Sequence, residues 1–120
     1  MQNEKNNLSE RLLNFAANII KLAIRLNRTP VGRHIGGQLT HSGTSAGANY
    51  EEACGAESRA DFVHKLQVVL KELRESLYWL RLIRKAVLVS ETDQQFSFLL
   101  QEGKELTNII AKSVITAKTN

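Results

Sequence analysis

Thr29-Pro30-Val31-Gly32-Arg33-His34-Ile35-Gly36-Gly37-Gln38-Leu39-Thr40 runs on into His41-Ser42-Gly43-Thr44-Ser45-Ala46-Gly47-Ala48-Asn49-Tyr50-Glu51-Glu52-Ala53, and the fold turns on whether this stretch is helix or loop. Propensity favours a loop, because each of the interior glycines costs up to about 1 kcal/mol against alanine. Two considerations outweigh it. A structureless loop of roughly 25 residues is improbable inside a compact small domain, and Val31, Ile35, Leu39, Ser42, Ala46 and Asn49 keep helical spacing. Thr29 before Pro30 is an N-cap followed by proline at the first helical position, where the missing N–H and fixed φ cost nothing. The reading is therefore a helix over 30–53. Its small residues let a neighbouring backbone approach closely, and the Gly43-x-x-x-Gly47 spacing implies tight packing and no membrane dimer.

Outward from this segment the pattern stays helical. Leu8, Leu12, Phe15, Ile19, Leu22 and Leu26 form one seam, with Leu13, Ala17, Ile20 and Ile24 beside it. Ser9 is the expected N-cap, with Leu8 packing on Leu13 as a staple. The first helix is expected over 9–28, mostly buried, with one polar strip of Arg11, Asn14, Asn18, Lys21, Arg25 and Arg28. After a turn at Cys54-Gly55-Ala56-Glu57, Ser58 with Asp61 resembles a capping box. A third helix over 59–88 follows, with the series Phe62, Leu66, Val69, Leu73, Ser76, Leu80, Ile83, Val87. Val68, Tyr78, Trp79 and Leu82 lie on another face and mark a candidate surface for self-association. A polar break at 90–93 leads to a fourth helix over 93–117 carrying Phe96, Leu99, Gly103, Leu106, Ile110, Val114 and Ala117. Short links make such helices antiparallel neighbours, so the fold class is all-α, an up-down-up-down four-helix bundle in a single domain over 1–120. Residues 1–7 and 118–120 are expected to fray.

Composition narrows the function. The chain has 120 residues and one cysteine, so an internal disulfide is excluded. Asn18, Lys21 and Arg25 interrupt the most apolar run, which rules out a spanning helix there. The N-terminus shows no basic-then-apolar leader pattern, which makes the cytoplasm the default expectation. The net charge is +4, and residues 11–50 contain no carboxylate before position 51 while holding Arg11, Lys21, Arg25, Arg28 and Arg33. A basic strip of this kind attracts phosphates. Residues 76–90 add three basic side chains and no acids.

No catalytic or cofactor pattern emerges, and none is expected: neither cofactor, metal nor enzyme activity. His34, His41 and His64 lack the carboxylate or cysteine company of a metal set. Cys54 lies among Glu51, Glu52 and Glu57, whose charge disfavours a thiolate nucleophile. Asn49, Glu52, Glu72 and Glu75 are read as an interhelical polar layer, with Lys65, Lys71 and Arg74 nearby.

The stretch from Ser42 to Ala53, then Gly55, Ser58, Asp61-Phe62, Lys65, Lys71-Glu72-Leu73-Arg74-Glu75-Ser76 and Tyr78-Trp79-Leu80-Arg81-Leu82, resembles the four helix bundle protein family, whose founding members are encoded in intervening sequences of bacterial 23S rRNA genes. A distant branch resembles the accessory variability determinant of diversity-generating retroelements. The resemblance implies a left-handed bundle that assembles into a ring, typically a pentamer, without established enzymatic activity. For the retroelement relatives it implies a basic surface binding nucleic acid and a reverse transcriptase; no retroelement context accompanies this sequence. The chain departs from the family pattern at His41, where arginine is frequent, and at Ala46, where a branched apolar residue is frequent. The expectation is a homo-oligomer that binds RNA or DNA through Arg11, Lys21, Arg25 and Arg28, with no membrane role. The alternative is an adaptor for a partner protein encoded nearby, the charge then serving solubility.

Overall fold

The computed structural model describes residues 2–119, with side chains from residue 7 onward. Four helices follow one another: α1 (Gln2–Leu26), α2 (Pro30–Cys54), α3 (Arg59–Lys85) and α4 (Gln94–Thr119). At 1.5 Å per residue each spans about 40 Å, which matches the 45 × 23 × 20 Å envelope. Short links leave each helix antiparallel to the one before it. The α2–α3 seam is the most extensive and the α1–α4 seam by far the thinnest, so the four-sided bundle is loosely closed on one side.

The glycine-rich segment is helical from end to end. Thr29 is extended (φ −130°, ψ 156°) and its hydroxyl accepts from the Gly32 N–H at 2.9 Å, as a cap followed by Pro30 requires. Several glycines serve close approach to α1. A Cβ on Gly32 would lie 1.9 Å from the Leu26 carbonyl oxygen, and one on Gly36 would lie 3.3 Å from the Ala23 Cβ. Gly37 faces open space, so its glycine is not demanded by packing.

The core follows the seams. Leu12, Phe15, Ile19 and Leu22 of α1 meet Ile35, Leu39 and Ala46 of α2, Leu66, Val69, Leu73, Leu80 and Ile83 of α3, and Phe96, Leu99, Leu106 and Ile110 of α4. Val31, Asn49 and Val87 fall outside it: Val31 and Val87 are exposed and Asn49 is half-buried.

The boundaries differ from the expected ones for local reasons. α1 begins at Gln2, because nothing in its first residues breaks a helix; Ser9 is therefore interior and not a cap, and Leu13 is exposed with no staple to make. Residues 2–7 and 118–119 are helical, while the fraying expected at residues 1 and 120 lies outside the described residues. α3 stops at Lys85, where Val87 adopts φ 56°. The Val87 N–H bonds the Arg84 carbonyl and the Leu88 N–H bonds that of Ile83, the paired closure of a left-handed helix terminus. Asp93 caps α4 through a 2.9 Å bond from the Phe96 N–H.

Candidate nucleic-acid interface

Most of the polar strip faces the thin α1–α4 seam: Arg11 and Arg25 pair with carboxylates of α4 or its cap, and Asn18 and Lys21 line a cleft there. Arg28 lies in the α1–α2 turn, because α1 ends at Leu26, short of the expected 28. The strip carries no acid in sequence, but α4 supplies acids across the seam. Arg11 makes a two-pronged pair with Glu102, Nε to Oε2 at 2.9 Å and Nη2 to Oε1 at 2.7 Å, and Nη2 also reaches Glu105 at 3.2 Å. The Glu102 hydrogen bond is the main reason that the Arg11 pKa is raised. At the other end Arg25 bonds Asp93. This bond, followed by the Phe96 N–H, holds the Asp93 carboxyl below the usual carboxylate range. Lys21 and Arg28 are exposed, and neither has a carboxylate partner among the described residues. Of the four candidate phosphate ligands, the structure thus ties Arg11 to two carboxylates, anchors Arg25 to one, and leaves Lys21 and Arg28 open.

Between the two ion pairs the seam opens into a cleft of about 380 Å³ with Leu22, Phe96 and Leu99 among its lining residues. Asn18, Lys21 and Arg25 line it from α1, and Gln94, Gln95 and Phe98 from α4. Phe98 is 65% exposed. Few aromatics adjoin the basic strip in sequence, which by itself predicts no base stacking, and Phe98 comes to the cleft because α4 folds back along α1. Arg84 of α3 stands near this end of the bundle, bonding Ser97 at 3.2 Å and lying 5.6 Å from the Phe96 ring centre. The three-cation run of residues 76–90 was the available signal for it.

The expected interhelical polar layer is different in space. The buried polar contact between α2 and α3 is Ser42 with Ser76, hydroxyl to hydroxyl at 2.8 Å, both fully buried. One hydroxyl donates across the seam; the other is free to donate to its own helix, at the Leu39 or the Glu72 carbonyl. Asn49 instead donates to the Ser45 carbonyl one turn back, and Glu52 pairs with Lys65 at 2.6 Å near the surface. Glu75 accepts from the Trp79 indole at 3.2 Å, while Glu72 keeps a buried Oε2 without a partner. Long carboxylates sit at the flanks of the seam because only small side chains fit where the two helices approach most closely.

Of the candidate self-association residues, Tyr78 is exposed and stacks edge-on against Trp79 at 5.1 Å, whereas Val68, Trp79 and Leu82 are half-buried. Trp79 also meets His34 edge-on at 6.5 Å. A larger apolar exposure lies on α1. Leu13, Ile20 and Ile24, expected to be buried, are 62%, 41% and 69% exposed. They line two adjoining clefts along α2 of about 600 and 340 Å³ that share Ile20. The glycines of α2 are too small to cover this stripe.

Among the described residues no group of three or more His, Cys, Asp or Glu is placed to hold a metal ion, and no helix is long and apolar enough to cross a membrane. Tyr50 is buried against Cys54, and burial first, then Cys54, pushes its phenol pKa up, so it stays protonated at neutral pH.

Comparison with known proteins now places the chain. Residues 4–112 match the 23S rRNA-intervening sequence protein family. None of the curated proteins compared with it matches. A solved structure of a protein of unknown function from the S23 ribosomal protein family of Bacteroides thetaiotaomicron is 33% identical; the match covers 92% of this chain and 96% of that one, with a TM-score of 0.82. On a match spanning nearly the whole bundle, this chain belongs to the 23S rRNA-intervening sequence protein family.

Proposed function

We propose that this protein is a non-enzymatic homo-oligomer that binds RNA or DNA through phosphate contacts along the α1–α4 seam. The observation that carries the reading is the pair of exposed, carboxylate-free cations Lys21 and Arg28, with Arg25 between them held in place by Asp93. Repetition of this strip around an assembly multiplies its attraction for a polyanion. The five-membered ring implied by the family resemblance needs two different complementary faces on each copy. The α1–α2 groove with Leu13, Ile20 and Ile24 supplies one, and the α3 face with Val68 and Tyr78 the other.

The test is fluorescence anisotropy with RNA and DNA across a salt series. Binding is expected to weaken steeply with salt, because phosphate neutralisation releases counterions. Lys21→Glu with Arg28→Glu is the chosen variant, since neither side chain holds the bundle together. It is expected to weaken binding at least tenfold and to flatten the salt slope by about two units. Absence of binding near about 50 mM salt, or a variant that binds as well as the parent, removes the nucleic-acid reading. Native mass spectrometry tests the assembly, and a wild-type monomer removes it. The exposed α1 stripe would then favour an adaptor that docks another protein, read as a partner that stays bound after nuclease treatment.

A further inference from the structure

We infer that the cleft between α1 and the beginning of α4 seats one unpaired nucleobase, so that the ligand is single-stranded where it touches the protein. This deepens the nucleic-acid reading above and rests on it. Three independent features converge on the cleft. Phe98 presents a largely exposed ring at its edge, an apolar face open to stacking. Lys21 and Arg25 line the same cleft as that ring. Arg25 commits one Nη to Asp93, and no other protein acceptor for its remaining N–H groups is found among the described residues. The amide groups of Asn18, Gln94 and Gln95 line the same cleft, and none makes a side-chain hydrogen bond to the protein among the described residues.

Each feature matches one part of a nucleotide. An aromatic face stacks on a base, amides offer a donor and an acceptor to its edge, and cations flank its phosphates. The cleft volume of about 380 Å³ is at the small end of the range for small-molecule sites, suited to a base and too small for a folded domain. A base inside a duplex has both π-faces covered by its neighbours and cannot enter; a splayed base in a loop or single strand can. An acidic peptide would use the cations and could bond the amides through its backbone, but its Asp and Glu side chains would leave the ring unstacked.

The experiment compares a labelled oligouridylate strand, the same strand in duplex, and an abasic strand of equal length, each binding to the wild-type protein, Phe98→Ala and Phe98→Tyr. Because Phe98 is exposed, the substitutions leave the core intact, which circular dichroism checks. The wild type is expected to prefer the single strand. Phe98→Ala is expected to lose roughly tenfold or more in single-strand affinity, with no change in salt slope, since no phosphate contact is removed. Phe98→Tyr keeps the affinity, and the abasic strand binds wild type and Phe98→Ala alike. Equal binding of single strand and duplex, or indifference to Phe98→Ala, each overturn the base seat. Equal, salt-sensitive binding of both forms that Lys21→Glu with Arg28→Glu abolishes overturns the base seat alone and leaves the phosphate reading standing. No binding of any strand overturns both.

Discussion

Val87 closes α3 at φ 56°, in the left-handed region where a β-branched side chain crowds its own backbone. The geometry is dictated by its neighbours: the two closing hydrogen bonds to Ile83 and Arg84 require it, and Leu88 and Val89 then turn inward to pack on the core. Glycine has no Cβ to clash at such a position. Val87→Gly is therefore expected to raise stability by about 1 kcal/mol, a few degrees in Tm, read by thermal denaturation. Hydrophobic periodicity counted Val87 as the last step of the α3 seam, because spacing carries no information on φ. A glycine here would have announced the helix end; valine concealed it.

At the scale of the element, α2 shows what glycines do inside a helix. Gly32→Ala drives a methyl group into the Leu26 carbonyl, a backbone atom that yields only if the α1–α2 turn shifts. A loss of about 1–3 kcal/mol is expected in urea denaturation. Gly37→Ala meets nothing within 4 Å and is expected to gain up to about 1 kcal/mol from helix propensity. The contrast between two glycines five residues apart is the check, since both are interior to the same helix. That α2 is a helix was legible from Thr29-Pro30 and from the spacing of Ile35, Leu39 and Ala46. Which glycines touch α1 was not, because that depends on the rotation of α2 about its axis. The same rotation brings Ser42 onto Ser76, while Asn49, about two turns further on, stays half-buried and bonds back to Ser45 of its own helix.

For the molecule as a whole, the thin α1–α4 seam is bridged by Arg11 with Glu102 and by Arg25 with Asp93. Asp93 has a folded pKa below its ordinary 3.8, so its charge contributes stability that is present above that value and lost as pH falls through the folded value. Asp93→Asn keeps a capping oxygen for the Phe96 N–H and removes the charge. The variant is expected to be less stable than the parent at neutral pH, with the difference shrinking as pH falls below the ordinary 3.8 and through the lowered folded value; denaturant titrations from neutral into acid pH check it. By itself the sequence determined four helices, their antiparallel order, the caps at Thr29 and Ser58, and the family resemblance through the Gly47-Ala48-Asn49-Tyr50-Glu51-Glu52-Ala53 run. Those properties depend on residues a few positions apart, where propensity and periodicity act. Only the tertiary structure decided which cations of the strip stay open and that Phe98 lines a cleft with Lys21 and Arg25. Partners 91 and 68 residues distant settle the charges, and such pairings exist only once α4 has folded back along α1.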